Sequence, residues 1–116
     1  MTNDIQVIFT PAFAYSLKQL EKKYPKAYDD LLPVIDQLES GDTPGDQVPG
    51  VRYTVYKVRV PNRSARRGKR GGFRLIYYLQ TQKQILLLVI YSKTKRQDIS
   101  PDQIRRIIED YEQNAD

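Results

Sequence analysis

The residues best suited to chemistry in this sequence are cations at short spacing in strand-like surroundings. Lys57 and Arg59 alternate with valines, and Arg74 lies in the strand-like run that follows. Lys93 lies shortly after a third apolar run, two residues beyond Tyr91. Because the side chains of a strand alternate between its two faces, Lys57 and Arg59 share one face and the valines share the other. This pattern predicts a sheet surface that binds anionic groups.

Two further groups of basic residues lie in segments that join or follow the predicted strands. Residues 61–72 hold five basic residues and three glycines, and a second basic group follows the third strand, at 93–96. A glycine-rich backbone that carries positive charge suits contact with a phosphodiester chain. We therefore predict that the cations of both segments bind the phosphates of a nucleic acid: Arg63, Arg66, Arg67, Lys69, Arg70, Lys95 and Arg96.

The charge is divided unevenly along the chain. Residues 47–97, called here the cationic segment, hold 13 of the 19 Lys and Arg residues and none of the 14 Asp and Glu residues. Surfaces that only need to be soluble usually mix the two signs. A single-sign segment rich in strand-forming residues therefore favours a folded surface for a polyanion.

Each of these features also has a purely structural interpretation. A Lys-x-Arg pair on a strand commonly protects a sheet edge from aggregation, and residues 61–72 could be a flexible, soluble loop. Five tyrosines of the cationic segment could stack on bases, although tyrosines in strands mostly belong to the core, as we expect for Tyr56 and Tyr77. These structural interpretations do not require the complete absence of acidic residues, which therefore favours anion binding.

Several other chemistries lack the residues that they need. The chain has no Cys and no His, which removes thiol nucleophiles and the commonest metal ligand and general base. It has neither a Walker lysine motif nor Gly-x-Gly-x-x-Gly, and its paired carboxylates lie outside the cationic segment. We therefore expect no metal and no cofactor. Proton transfer is left to Lys and Tyr, while Arg remains protonated and can only supply charge.

The periodicity of the 116 residues predicts one α+β domain, spanning 1–116, that positions these cations. We expect an antiparallel sheet of about four strands, two N-terminal helices packed on one face and a C-terminal helix. Pro33 predicts a kink or a late start in the second helix. The longest apolar run is far too short to cross a membrane and the N-terminus lacks a leader pattern, so a cytoplasmic protein is expected. The predicted elements are a strand at 4–9, helices at 11–23 and 26–39, a loop at 41–51, strands at 53–60, 72–80 and 85–91, and a helix that begins at Ser100-Pro101.

Residues from about 5 to 112 resemble toxins of bacterial type II toxin–antitoxin modules, in the RelE/ParE superfamily. The similarity is carried by Tyr-Lys-Val-Arg at 56–59, Gly-Lys-Arg-Gly-Gly-Phe-Arg-Leu-Ile-Tyr-Tyr at 68–78 and Ile-Tyr-Ser-Lys at 90–93, followed by Asp98-Ile99-Ser100. The HigB-type branch is the most similar. The final-helix tyrosine of RelE has no counterpart here, so its role is vacant or is filled by Tyr91.

The resemblance implies a toxin that is held inactive by a cognate antitoxin and that cleaves translated mRNA on the ribosome, where contacts with 16S rRNA are expected. DNA would be contacted only through the antitoxin, and no membrane is implied. We expect Arg59 and Arg74 to hold the phosphate, Lys57 or Lys93 to transfer a proton, and Tyr91 to stack or to donate a proton. Two alternatives remain open: a ParE-like inhibitor that binds DNA gyrase, and an inactive homologue that acts as a co-repressor with its antitoxin.

Overall fold

The computed structural model describes residues 4–63, 72–93 and 98–114, which form three helices and a five-stranded sheet. The predicted α+β class is confirmed, and most predicted boundaries lie within two residues of those observed. None of the helices in the described ranges is both long and apolar enough to cross a lipid bilayer. The elements in chain order are β1 (Gln6–Phe9), α1 (Pro11–Glu21), α2 (Ala27–Glu39), β2 (Asp46–Gln47), β3 (Val55–Val60), β4 (Phe73–Thr81), β5 (Gln84–Ser92) and α3 (Pro101–Asn114).

The strands follow the spatial order β1-β5-β4-β3-β2. Strands β3, β4 and β5 form an antiparallel meander, and a tight hairpin turn joins β4 to β5. In contrast to the all-antiparallel expectation, β1 pairs in parallel with β5, because the chain returns to the sheet only after two helices. The predicted loop at 41–51 also contains β2, which pairs with β3. Gly45 allows this approach, since a Cβ there would lie 2.3 Å from the carbonyl oxygen of Lys57.

Two hydrophobic cores cover the two faces of the sheet. The first joins α1 and α2 to one face, where Val58 and Val60 are buried. The second joins α3 to the opposite face, where Val55 and Ile76 are buried. Strand β5 contributes to both cores, so it is covered on both of its faces. The C-terminal helix therefore lies on the face that carries the alternate residues of β3, including Lys57 and Arg59.

The helices begin where the sequence predicts. In α3 the amide of Gln103 donates to the hydroxyl of Ser100, so Ser100 caps the helix. Pro33 lies inside α2, which begins at Ala27. The predicted alternative of a late helix start at Pro33 is therefore wrong.

Thr10 connects α1 to the centre of the sheet. Its hydroxyl accepts a hydrogen bond from the amide of Phe13 (3.1 Å) and donates to the carbonyl of Leu87 on β5 (2.7 Å), and the residue is 1% exposed. One buried hydroxyl therefore both caps the helix and fixes it against β5.

We expect Thr10→Ala to lower the free energy of unfolding by about 1–2 kcal/mol, because the substitution removes the cap and leaves a buried carbonyl with one partner fewer. Thr10→Ser keeps the hydroxyl and is the matched control, which should retain most of this stability in urea titrations. An equal loss in both variants would mean that the methyl group, and not the hydroxyl, carries the effect.

Candidate active site

Three residues of the predicted site lie in one row across the sheet. Arg59 on β3 is directly opposite Arg74 on β4, which is directly opposite Tyr91 on β5. Residues paired in this way project from the same face of a sheet. Lys57, two positions before Arg59, also belongs to this face, which is the one that α3 partly covers. The structure thus brings together four of the five residues predicted to take part in catalysis.

The opposite face fixes the position of this row. Val58 and Val60 alternate with the cations and are buried against the helices α1 and α2. A shift of the register by one residue would place these valines on the wrong face and the cations in the core. Hydrophobic burial on one face therefore determines which side chains meet on the other.

The two arginines are close like charges. Cross-strand partners have Cα atoms roughly 4.5–5.5 Å apart, and like charges placed directly opposite destabilise a sheet. Arg59 lies against Gly72, where an added Cβ would be 3.2 Å from the arginine Nε and 2.7 Å from the carbonyl oxygen of Val60. Arg74 is half-buried, and its Nη1 is 3.4 Å from the carbonyl oxygen of Phe73. The absence of a side chain at Gly72 leaves the space that the Arg59 guanidinium occupies.

An acidic residue that the sequence analysis did not assign to the site also lies here. The Oδ1 atom of Asp98 accepts hydrogen bonds from the Tyr91 hydroxyl and from the amide of Ile99, both at 3.0 Å. The ammonium group of Lys57 donates to both carboxylate oxygens, at 3.3 and 3.2 Å. Two signals in the sequence point to Asp98: it is the first acidic residue after the cationic segment, directly before α3, and it belongs to the Asp98-Ile99-Ser100 motif of the resemblance.

The surroundings of Asp98 determine its titration. Burial acts to raise the pKa of Asp98, but the donors from Ile99, Tyr91 and Lys57, with the positive charge of Lys57, outweigh it and hold the pKa below its ordinary value of 3.8. The carboxyl group is therefore ionised at neutral pH and is a weak proton acceptor.

The remaining predicted residues are placed differently. Lys93 is exposed one residue beyond the end of β5. Arg63 contacts α2: its Nε donates to the buried carboxylate of Asp30 at 3.1 Å, and its Nη2 donates to the carbonyl of Asp29 at 2.9 Å. This contact gives Arg63 a structural role that the sequence analysis did not predict. The other residues predicted to bind RNA lie outside the described ranges: Arg66, Arg67, Lys69, Arg70, Lys95 and Arg96.

The tyrosines of the cationic segment are mostly core residues. Tyr56 and Tyr77 are stacked, with ring centroids 5.6 Å apart, and belong to the core with α1 and α2, as predicted. Tyr78 and Tyr91 are 8% and 7% exposed in the other core. The expectation that these rings are available for stacking on bases is therefore wrong for the buried tyrosines. The hydroxyl of Tyr91 donates a hydrogen bond to Asp98.

A groove of about 880 Å³ lies beside this site, between α1 and α3. Its floor is formed by β5 from Val89 to Ser92, and Tyr91 belongs to both the groove and the site. Among the described residues that line the groove are three basic and no acidic side chains: Lys22, Lys23 and Arg106.

The fold is similar to that of a known toxin. A structure of the E. coli toxin RelE, a double arginine-to-alanine variant in the free state, matches with a TM-score of 0.53. The match covers 97% of both chains at 16% sequence identity. No protein-family model matches the sequence. At this identity the comparison shows that the two chains share the RelE-like fold.

We expect carbon-13 NMR of the side-chain carboxyl to show that Asp98 titrates below pH 3.8, with a higher pKa in Lys57→Met, because that variant lacks the ammonium donor and its charge. The stability that this ionised group contributes is present above pH 3.8 and is lost as the pH falls through its lower folded-state pKa. Lys83→Met removes a lysine at the other end of β5 and is the control. The same titration midpoint of Asp98 in the wild type, Lys57→Met and Lys83→Met would contradict an ion pair between Lys57 and Asp98.

Proposed function

We propose that this protein is a RelE-type toxin that cleaves translated mRNA on the ribosome, as an endoribonuclease that needs no metal and acts in the cytoplasm. One observation carries the proposal: Arg59 and Arg74 lie directly opposite each other on the face that also carries Lys57. The RelE-like fold supports the toxin class. The HigB-type branch is proposed from the sequence motifs.

The like-charged pair is best explained by an anionic ligand. Two arginines placed directly opposite each other lower the stability of the free protein. An uncharged residue at either position would avoid this repulsion without changing the core on the opposite face. A phosphate between them removes the repulsion and accepts paired hydrogen bonds from planar guanidinium groups. The site thus supports binding of the phosphate of an RNA chain.

RNA cleavage by the neighbouring 2′-hydroxyl requires charge stabilisation and two proton transfers. Arg59 and Arg74 supply positive charge to the pentavalent phosphorane, since guanidinium groups do not act as bases. Lys57 or Lys93 transfers a proton, and the Tyr91 hydroxyl can donate one to the leaving 5′-oxygen. These side chains need no metal, and the sequence lacks the His and Cys residues that most often bind one.

A gyrase-binding protein of the ParE type is the second candidate. A protein that acts only by binding has no need to place Arg59 directly opposite Arg74 on the face that also carries Lys57, so this arrangement favours the nuclease. An inactive co-repressor likewise gains nothing from an unfavourable charge pair.

We expect Arg74→Ala to lower the rate of mRNA cleavage about 10²–10³-fold, because it removes one of the charges that stabilise the transition state. The free energy of unfolding should change by less than about 1 kcal/mol, since the substitution also relieves repulsion. Primer extension on mRNA from a cell-free translation reaction measures the cuts. Lys83→Ala, which removes a cation at the β4–β5 turn, should cleave like the wild type.

Full activity in folded Arg74→Ala would contradict the assigned role. Wild-type protein that leaves mRNA intact but causes DNA breaks by gyrase would favour the ParE-like alternative. Expression without growth arrest and without either lesion would favour the inactive homologue.

The groove between α1 and α3 suggests how an antitoxin binds. Its rim is basic, with Lys22, Lys23 and Arg106, while Ile107 and the exposed ring of Tyr15 offer apolar contact. An amphipathic helix with acidic flanks complements such a groove in shape and in charge. We therefore propose that an acidic, amphipathic helix of the cognate antitoxin occupies it, beside the site that it inhibits.

Arg106→Glu should weaken binding of the antitoxin about tenfold at low ionic strength, and less at high salt, because a rim charge is reversed and salt screens it. Titration calorimetry with the protein encoded by the adjacent gene measures the affinity. Arg105→Glu reverses the neighbouring charge, which pairs with Asp102 and is not among the groove residues, and should bind like the wild type. Equal affinities of the two variants at all salt concentrations would exclude a contact at this rim.

A further inference from the structure

We propose that Asp98 is a positioning residue of the cleavage site, which holds the Lys57 ammonium and the Tyr91 hydroxyl in place beside the two arginines. The inference rests on the proposed ribonuclease activity. It explains why one acidic side chain, that of Asp98, lies on the face of the sheet that carries Lys57, Arg59 and Arg74.

The geometry shows that Asp98 connects elements that do not pair with each other. Lys57 lies on β3 and Tyr91 lies on β5, with β4 between them in the sheet. Strands separated by one intervening strand are roughly 10 Å apart, yet both side chains donate to the same carboxylate, at 3.2 and 3.0 Å. Asp98 thus fixes the two groups relative to each other.

The position of Asp98 is itself determined by α3. The amide of Ile99 donates to its Oδ1, and Ile99 is 7% exposed in the core beneath α3. Ser100, the next residue, caps α3. The carboxylate is therefore attached to a packed helix start, which is the kind of rigid support that a positioning residue requires.

The Lys57–Asp98 pair makes a poor stabilising contact and a good positioning contact. The Lys57 side chain is 34% exposed and that of Asp98 is 59% exposed, so solvent screens the attraction and little folding stability results. The four-carbon stem of a lysine side chain is flexible, however, and a proton transfer requires the ammonium group at one defined position. Because the pair is open to solvent, an RNA chain can reach the Lys57 ammonium while Asp98 holds it.

Electrostatics and positioning predict opposite effects of one substitution. Asp98→Asn keeps the shape of the side chain and removes a negative charge from an RNA-binding surface. By charge alone, this variant should bind RNA more tightly and cleave it at least as fast. If Asp98 positions Lys57 and Tyr91, the same variant should bind equally well or better and cleave more slowly.

The test is single-turnover cleavage of a defined mRNA on purified ribosomes, with toxin concentration varied. We expect Asp98→Asn to lower the maximal rate about 10–100-fold, with an unchanged or lower half-saturating concentration. Asp98→Glu, which keeps the carboxylate, should recover part of the rate. Asp102→Asn removes the same charge from the exposed first turn of α3, where Asp102 pairs with Arg105, and should behave like the wild type.

A double-mutant cycle separates positioning from loss of fold. In a Lys57→Met background, Asp98→Asn should cost much less than it does alone, because the group that it positions is already absent. Thermal unfolding of each variant gives the folded fraction at the assay temperature. Losses that simply add in the cycle, or that follow the folded fraction, would overturn the inference.

The outcomes for this inference and for the proposed function are distinct. An active wild type with an equally active Asp98→Asn variant would overturn the role of Asp98 alone. A wild type that does not cleave mRNA on ribosomes would overturn the proposed activity, and the inference with it.

Discussion

The site depends on the register that sets Arg59 opposite Arg74 against their mutual repulsion. Local electrostatics opposes this pairing, because like charges directly opposite each other destabilise a sheet. The register is determined by Val58 and Val60, which the core with α1 and α2 buries on the opposite face. Each buried aliphatic side chain of this size contributes on the order of 1.5–3 kcal/mol, which exceeds the cost of one opposed pair of like charges. The hydrophobic face thus makes the unfavourable cationic face possible.

Helix α3 divides that cationic face into a covered part and an accessible part. Its acidic residues contact the sheet away from the arginines: Glu109 accepts from the Tyr53 hydroxyl, and Glu112 accepts from Gln80. At the other end of the helix, Asp98 and Ile99 lead into the first turn beside Lys57 and Tyr91. These two carboxylates of α3 therefore bind residues that lie away from the arginines. Of the acidic residues that the structure describes, Asp98 is the one that contacts Lys57 and Tyr91 in the candidate site.

Local pattern predicted the elements well and their long-range contacts less well. The alternation in β3, the apolar run of β5 and the start of α3 at Ser100-Pro101 are properties of neighbouring residues, and the structure confirms each of them. Strand β2 was missed because Asp46 and Gln47 have low strand propensity and pair only where Gly45 permits the approach. The parallel pairing of β1 depends on the path of two helices, which no local period encodes.

The same distinction between local pattern and long-range contacts applies to two cations of the predicted site, Arg63 and Lys57. Arg63 and Lys57 look alike in sequence, as basic residues of one acid-free segment, but each meets a carboxylate from a remote part of the chain, 33 and 41 residues away. Asp30 is 5% exposed, so it needs the Arg63 guanidinium to compensate a buried charge, and Arg63 is thereby committed to the fold. Asp98 is open to solvent, so its contact with Lys57 leaves that cation accessible to a ligand. The burial of the acidic partner, which the sequence does not reveal, therefore separates a cation that is committed to the fold from one that stays accessible to a ligand.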